Sequence, residues 1–155
     1  MDDREKIAYK LALKQFALDT ISARIEAARR QAEQAQEAAN QEEKSSAGDK
    51  YETSRAMGHL QKDMYSRQQA EHARELASLH QVKVDILYSS AVPGAFIQCP
   101  GIGFFIAAGL GKQQIHDQTV LFLSPAAPLA KALYQQRTGD SILFNGRSHA
   151  IQDIF

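Results

Sequence analysis

The sequence predicts an α+β chain: a hairpin of two long helices followed by a small domain of short strands with one helix. Three observations carry this. The 155 residues hold 18 Lys+Arg and 18 Asp+Glu, of which residues 1–80 take 13 and 14 and residues 81–155 only 5 and 4. All four prolines and seven of the nine glycines lie after residue 80. From Asp2 to Lys44 there is no Gly or Pro at all, whereas the later half is cut by them into apolar runs of strand length. Two bodies are expected, residues 1–80 and 81–155, with a boundary near His80.

The first helix opens on Asp2, Asp3 and Glu5, acids that complement a helix dipole. Apolar residues then recur at Ile7, Leu11, Leu18, Ile21, Ile25, Ala28, Ala32, Ala35 and Ala39, a three-four spacing interrupted by Lys14. That is a coiled-coil seam, large near its start and reduced to alanine near its end. Ser45 to Gly48 suit a tight reversal. Asp49 reads as an N-cap with Glu52 in capping-box position, opening a second helix to about Leu79 with Met57, Leu60, Met64, Leu76 and Leu79 as its apolar positions. Paired antiparallel, two such helices make a hairpin about 50–60 Å long at 1.5 Å per residue.

In the second body, Val82 to Tyr88 alternates like a half-buried strand, and Ala95–Cys99, Gly103–Ala108 and Thr119–Leu123 are apolar runs bounded by Pro, Gly or Ser. Pro128 to Gln136 reads as a short helix with proline in its first turn. Asp140–Phe144 and Ala150–Phe155 are expected to close the chain as a hairpin around Asn145-Gly146.

A formal net charge of zero offers no general attraction to nucleic acid or anionic lipid. No stretch reaches the roughly 20 apolar residues of a membrane span, and no secretory signal is read at the start. Cys99 is the one cysteine, so neither an internal disulfide nor a cysteine metal cluster is expected. A cytoplasmic protein follows as the expectation. Gly109-Leu-Gly-Lys112 departs from a phosphate loop, with Ile106 in place of the first glycine and Gln113 in place of the magnesium-binding Ser/Thr. The five histidines never fall at metal-ligand spacing, and no nucleophile motif is present.

The turn between the helices is the chemical candidate. It carries Glu42, Glu43, Asp49 and Glu52. Asp49 and Glu52 at i, i+3 share one helix face. Capping accounts for them structurally. Chemically, magnesium is held through one or two carboxylates together with substrate phosphates and water.

Three stretches resemble the bacterial GreA/GreB transcript-cleavage factors. Gly48-Asp49-Lys50-Tyr51-Glu52 lines up with that family's Gly-Asp-Leu-Ser-Glu-Asn tip. Ser124-Pro-Ala-Ala-Pro-Leu-Ala-Lys-Ala-Leu133 resembles its Ser-Pro-(Ile/Leu)-x-(Arg/Lys)-Ala-Leu segment. Thr138-Gly-Asp140, Phe144-Asn-Gly146 and Ile151-Gln-Asp-Ile154 resemble its closing hairpin. The resemblance implies an antiparallel coiled-coil hairpin with its acidic tip at about residues 42–52, then an FKBP-like antiparallel β-sheet domain that docks on RNA polymerase. It implies a monomer that meets transcript and DNA only through the polymerase.

The hairpin would enter the polymerase secondary channel, where Asp49 and Glu52 would share a magnesium ion with the polymerase active site and help it cleave backtracked RNA. The factor would have no complete active site and no cofactor of its own. Ser124, Pro125, Ala127 and Pro128 would contact the partner, and Glu42, Glu43, Lys50 and Tyr51 would support the tip. Departures are visible: Lys50, Tyr51 and Thr53 replace the family's Leu, Ser and Asn, and either Ser124-Pro125 or Ala127-Pro128 aligns with the docking Ser-Pro. A non-cleaving channel regulator of the Rnk or DksA kind is the alternative reading. A third is an FKBP-like prolyl isomerase or chaperone, with Phe96, Phe104, Phe105, Phe122 and Phe144 lining its pocket.

Overall fold

The computed structural model describes residues 1–45 and 49–155, with side chains except at 42–45, 49–51 and 54. It is an α+β chain, a pair of long helices that pack together followed by a mixed sheet. Helices α1 (Asp3–Ser45) and α2 (Asp49–Gln81) precede strands β1 (Phe96–Cys99), β2 (Ile102–Ile106), β3 (Gly111–Ile115) and β4 (Gln118–Leu123). Helix α3 (Pro128–Leu133) follows, then β5 (Ser141–Phe144), β6 (Arg147–Ala150) and β7 (Asp153–Ile154). Two compact units result: Met1–Leu18 together with Ser78–Phe155, and Asp19–Ala77. The first 18 residues therefore belong with the strands, where the composition had suggested a division at His80.

In the strand-bearing unit, five strands are ordered β3-β4-β2-β1-β7. The expected antiparallel sheet is mixed, because β2 and β4 pair in parallel, Gly103 opposite Val120 and Ile106 opposite Leu123. β2 is buried at every position, which fits a central strand covered on both faces. On one face Ile97, Phe104 and Ile106 pack with Leu133 of α3 and with Ile142 and Ile151. The other face meets the start of α1. Tyr9 sits edge-on to Phe96 at 5.2 Å, Phe16 lies 5.7 Å from Phe122, and Lys6 bridges Asp153 at 2.9 Å. A reciprocal capping box holds that helix start, Glu5 N donating to Asp2 Oδ1 and Asp2 N to Glu5 Oε2, each at 2.8 Å.

Three expectations fail here, each for a physical reason. Val82–Tyr88 is not a strand. Its carbonyls are met by lysines of α1 in place of a neighbouring strand: Lys14 donates to Val82 O at 2.8 Å and Lys10 to Ile86 O at 2.5 Å. Lys10 is wholly buried, donates also to Gly94 O at 3.1 Å and lies 4.7 Å from the Tyr88 ring centroid. Second, the polar run Gly111–Ile115, for which no strand was expected, is strand β3, paired with β4 from Gly111–Phe122 to Ile115–Gln118; as an edge strand, it is half exposed. Third, of Ala150–Phe155 only its start pairs with Asp140–Phe144, Ala150 facing Ser141 and Ile151 N donating to Asp140 O at 2.8 Å. The hairpin partner is β6, Phe144 opposite Arg147, and β7 returns to β1. The Asn145-Gly146 turn forms as read, both residues at positive φ (50° and 73°), the geometry of a type I′ turn. α3 starts with Pro128 in its first turn, as read, but ends at Leu133.

In the unit Asp19–Ala77, Ile21, Ala28, Ala35 and Ala39 are buried along α1, as the seam predicts. Nearer the helix start the buried line is Lys10, Leu13 and Ala17, and Leu11 is 48% exposed. On α2 the apolar positions hold at its end, where Leu79 is buried and Leu76 half-buried, but not before it: Met57, Leu60 and Met64 are 58%, 68% and 47% exposed. Gly58 takes the inward place, where an added Cβ would lie 2.7 Å from Ala39 Cβ. An alanine seam draws the two backbones so close that only a side chain of no size fits opposite, and Met57, Leu60 and Met64 are turned away. Tyr65, Gln69 and His72 are half-buried in the same unit.

Candidate functional site

Helix α2 begins at Asp49, so both acids lie at its start, where the second helix was expected to open. Asp49 is the first residue of that helix and Glu52 lies one turn in, exposed to solvent. The side chains of Glu42, Glu43, Asp49, Lys50 and Tyr51 lie outside the described residues, as does the backbone of Ser46, Ala47 and Gly48. Thr53, at the tip's last motif position, is exposed. Among the described residues no group of three His, Cys, Asp or Glu could hold a metal ion.

Behind the tip, α1 carries a fixed charge cluster. Arg29 pairs with Glu26 and Glu33, each at 2.5 Å, and Arg30 reaches Glu26 at 3.4 Å. The hydrogen bond from Arg29 holds the Glu26 carboxyl down at about 2. These acids are therefore already engaged.

The second candidate surface is the segment before α3. Ser124 caps its own turn, its Oγ accepting from Ala126 N at 3.2 Å and its carbonyl from Ala127 N at 2.9 Å. Ala127 is extended (φ −64°, ψ 146°) and Pro128 occupies the first turn of α3. The fixed turn leaves Pro125 and Pro128 exposed. Pro125 lines a cleft of about 200 Å³ with Val92, Pro93, Lys131 and Tyr134. Four of the rings considered for a proline pocket, Phe96, Phe104, Phe105 and Phe122, are fully buried and fill the core.

Two features escaped the sequence reading. Lys10 was not singled out, yet burial lowers its ammonium to about 8 against the attraction of Asp85. Its signal was Lys10 and Lys14 one helical turn apart on an otherwise apolar face. A cleft beside the β5–β6 hairpin was also missed, because strand register brings its residues together. Among the described residues no helix is long and apolar enough to cross a membrane. No protein-family model, curated protein or solved structure matches the chain.

Proposed function

We propose that the chain is a transcription elongation factor of the GreA/GreB kind, binding RNA polymerase in the cytoplasm and presenting the α1–α2 turn to its secondary channel. The observation that carries the reading is the position of Asp49 and an exposed Glu52 in the first turn of α2, the second of two packed helices. From Asp19 to Ser45, α1 alone spans about 40 Å at 1.5 Å per residue, a length suited to a narrow channel. On this reading the helices form an antiparallel coiled-coil hairpin, and the strand-bearing unit is an FKBP-like docking domain. Contact with polymerase would run through Ser124, Pro125, Ala127 and Pro128.

The chemistry would belong to the polymerase. Asp49 and Glu52 would contribute oxygen ligands to a magnesium ion shared with its active site, where the ion lowers the pKa of a bound water and offsets charge in phosphodiester hydrolysis. The acids act only when delivered, so the chain alone would not be an enzyme. Lys50, in the position of the family's leucine, favours a second reading in which the tip occupies the channel and retunes transcription without cleavage.

The test is a transcript-cleavage assay on stalled elongation complexes, run alongside a polymerase pull-down. The first reading expects cleavage that falls at least about a hundredfold with Asp49→Ala plus Glu52→Ala, a loss typical of removing groups that stabilise a charged transition state, while binding persists. Binding without stimulated cleavage selects the regulator. Absence of binding rejects both.

A further inference from the structure

We propose that the cleft between the β1–β2 turn and the inner face of the β5–β6 hairpin binds a small planar anion, a ring carrying a phosphate as a nucleoside monophosphate presents it. This site is separate from the acids of the helix turn and stands whether or not they act on polymerase.

The register of the hairpin sets out the residues. Ile142 faces His149 and Phe144 faces Arg147, and in a two-residue period these four side chains share one face. At one end of that face Ile142 is buried in the core. Next to it Phe144 stands edge-on to Phe104, ring centroids 5.5 Å apart and planes at 89°, so its ring is anchored by the core yet only half-buried. His149 tilts toward it with centroids 6.1 Å apart. Toward the hairpin turn, Asn145 and Arg147 complete the wall, and Gly101 lies across the cleft, which encloses about 410 Å³. That volume is within the range of small-ligand sites.

Charge decides the class of ligand. No carboxylate lines this cleft, and Arg147 makes no ion pair among the described residues. Of the four aspartates after residue 80, Asp153 bridges Lys6, Asp140 accepts from the backbone N of Arg137, Asp85 acts on Lys10 and Tyr88, and Asp117 sits in the β3–β4 turn. A guanidinium with its fork unpaired, beside an imidazole and an amide, is suited to a phosphate held by two parallel hydrogen bonds. The half-open Phe144 ring, with His149 at its side, gives a planar group something to stack on. An anion without a ring would use the first set of contacts and leave the second empty.

The experiment is an amide chemical-shift titration of the full chain with adenosine monophosphate, and separately with adenosine and with inorganic phosphate. The site requires saturable shifts for the monophosphate in the millimolar range, confined to residues 101–102 and 142–149. Either half alone should bind about tenfold more weakly, the worth of one good charge-assisted contact or one stacking pair. Arg147→Gln, at an exposed position, should reduce the monophosphate to the affinity of adenosine. Phe144→Leu should weaken the monophosphate and leave inorganic phosphate unchanged. Shifts that fail to saturate or that map elsewhere, an Arg147→Gln titration equal to the unmodified chain's, or inorganic phosphate binding as well as the nucleotide would each overturn the assignment.

Discussion

Replacing Lys10 by Met removes a charge from inside the protein while nearly preserving side-chain volume, and its effect should depend on pH in a defined direction. The Lys10 ammonium is lowered from 10.5 to about 8, chiefly by burial. The unfolded chain therefore holds a proton that the folded chain has released between about pH 8 and 10.5, and stability from this group rises with pH across that window. Each pKa unit corresponds to about 1.4 kcal/mol, so the unmodified protein should gain about 3 kcal/mol relative to Lys10→Met between pH 7 and 10.5.

At pH 7 two effects oppose. The variant is relieved of the buried charge, but the Ile86 and Gly94 carbonyls lose their donor, at about 1–3 kcal/mol for each buried group left unpaired. The pH slope is thus the diagnostic quantity, and the difference between the two proteins cancels other titrating groups common to both. Urea denaturation followed by circular dichroism at several pH values measures it. A stability difference that stays flat from pH 7 to 10.5 would refute the buried-ammonium account.

Gly58→Ala should destabilise the Asp19–Ala77 unit by about 1–3 kcal/mol in spite of alanine's better helix propensity, because overpacking a close contact costs more than the propensity returns; a thermal melt that moves upward would contradict the 2.7 Å approach to Ala39. Cys99 is buried, and burial pushes its thiol up, so it should resist a disulfide exchange reagent in native buffer and react fully in denaturant. Asp153→Asn breaks the 2.9 Å bridge to Lys6 at a partly exposed site and should cost no more than about 1 kcal/mol, as read by urea midpoint. A larger loss would mean that the bridge, more than the ring contacts beside it, holds α1 to the sheet.

What the sequence made legible was whatever local chemistry decides. The acidic start of α1, the proline that opens α3 and the Asn145-Gly146 reversal are each set by a few neighbouring residues, and each is found where the pattern put it. The start of α2 at Asp49 was legible for the same reason, whereas the reversal read before it falls on residues 46–48, outside the described residues. Legibility failed where a distant partner decides. Val82–Tyr88 alternates like a strand, yet two lysines from another element satisfy its carbonyls. Gly111–Ile115 has no strand composition, yet β4 offers it an edge. The parallel β2–β4 pairing cannot be read from either strand alone. The inward face of α2 was assigned by hydrophobicity, whereas the spacing of the backbones selected glycine over methionine. The cleft at Arg147 and His149 depends on register in the same way.

Tyr9 and Phe16 close the sheet face bearing Phe96 and Phe122, and Phe155 also lies against Tyr9, which has a consequence for fragments. A piece of the chain starting after the helices would carry an uncovered aromatic face. Expression of residues 81–155 alone should therefore yield aggregate, and adding the 1–18 peptide in trans is the natural means of rescuing it.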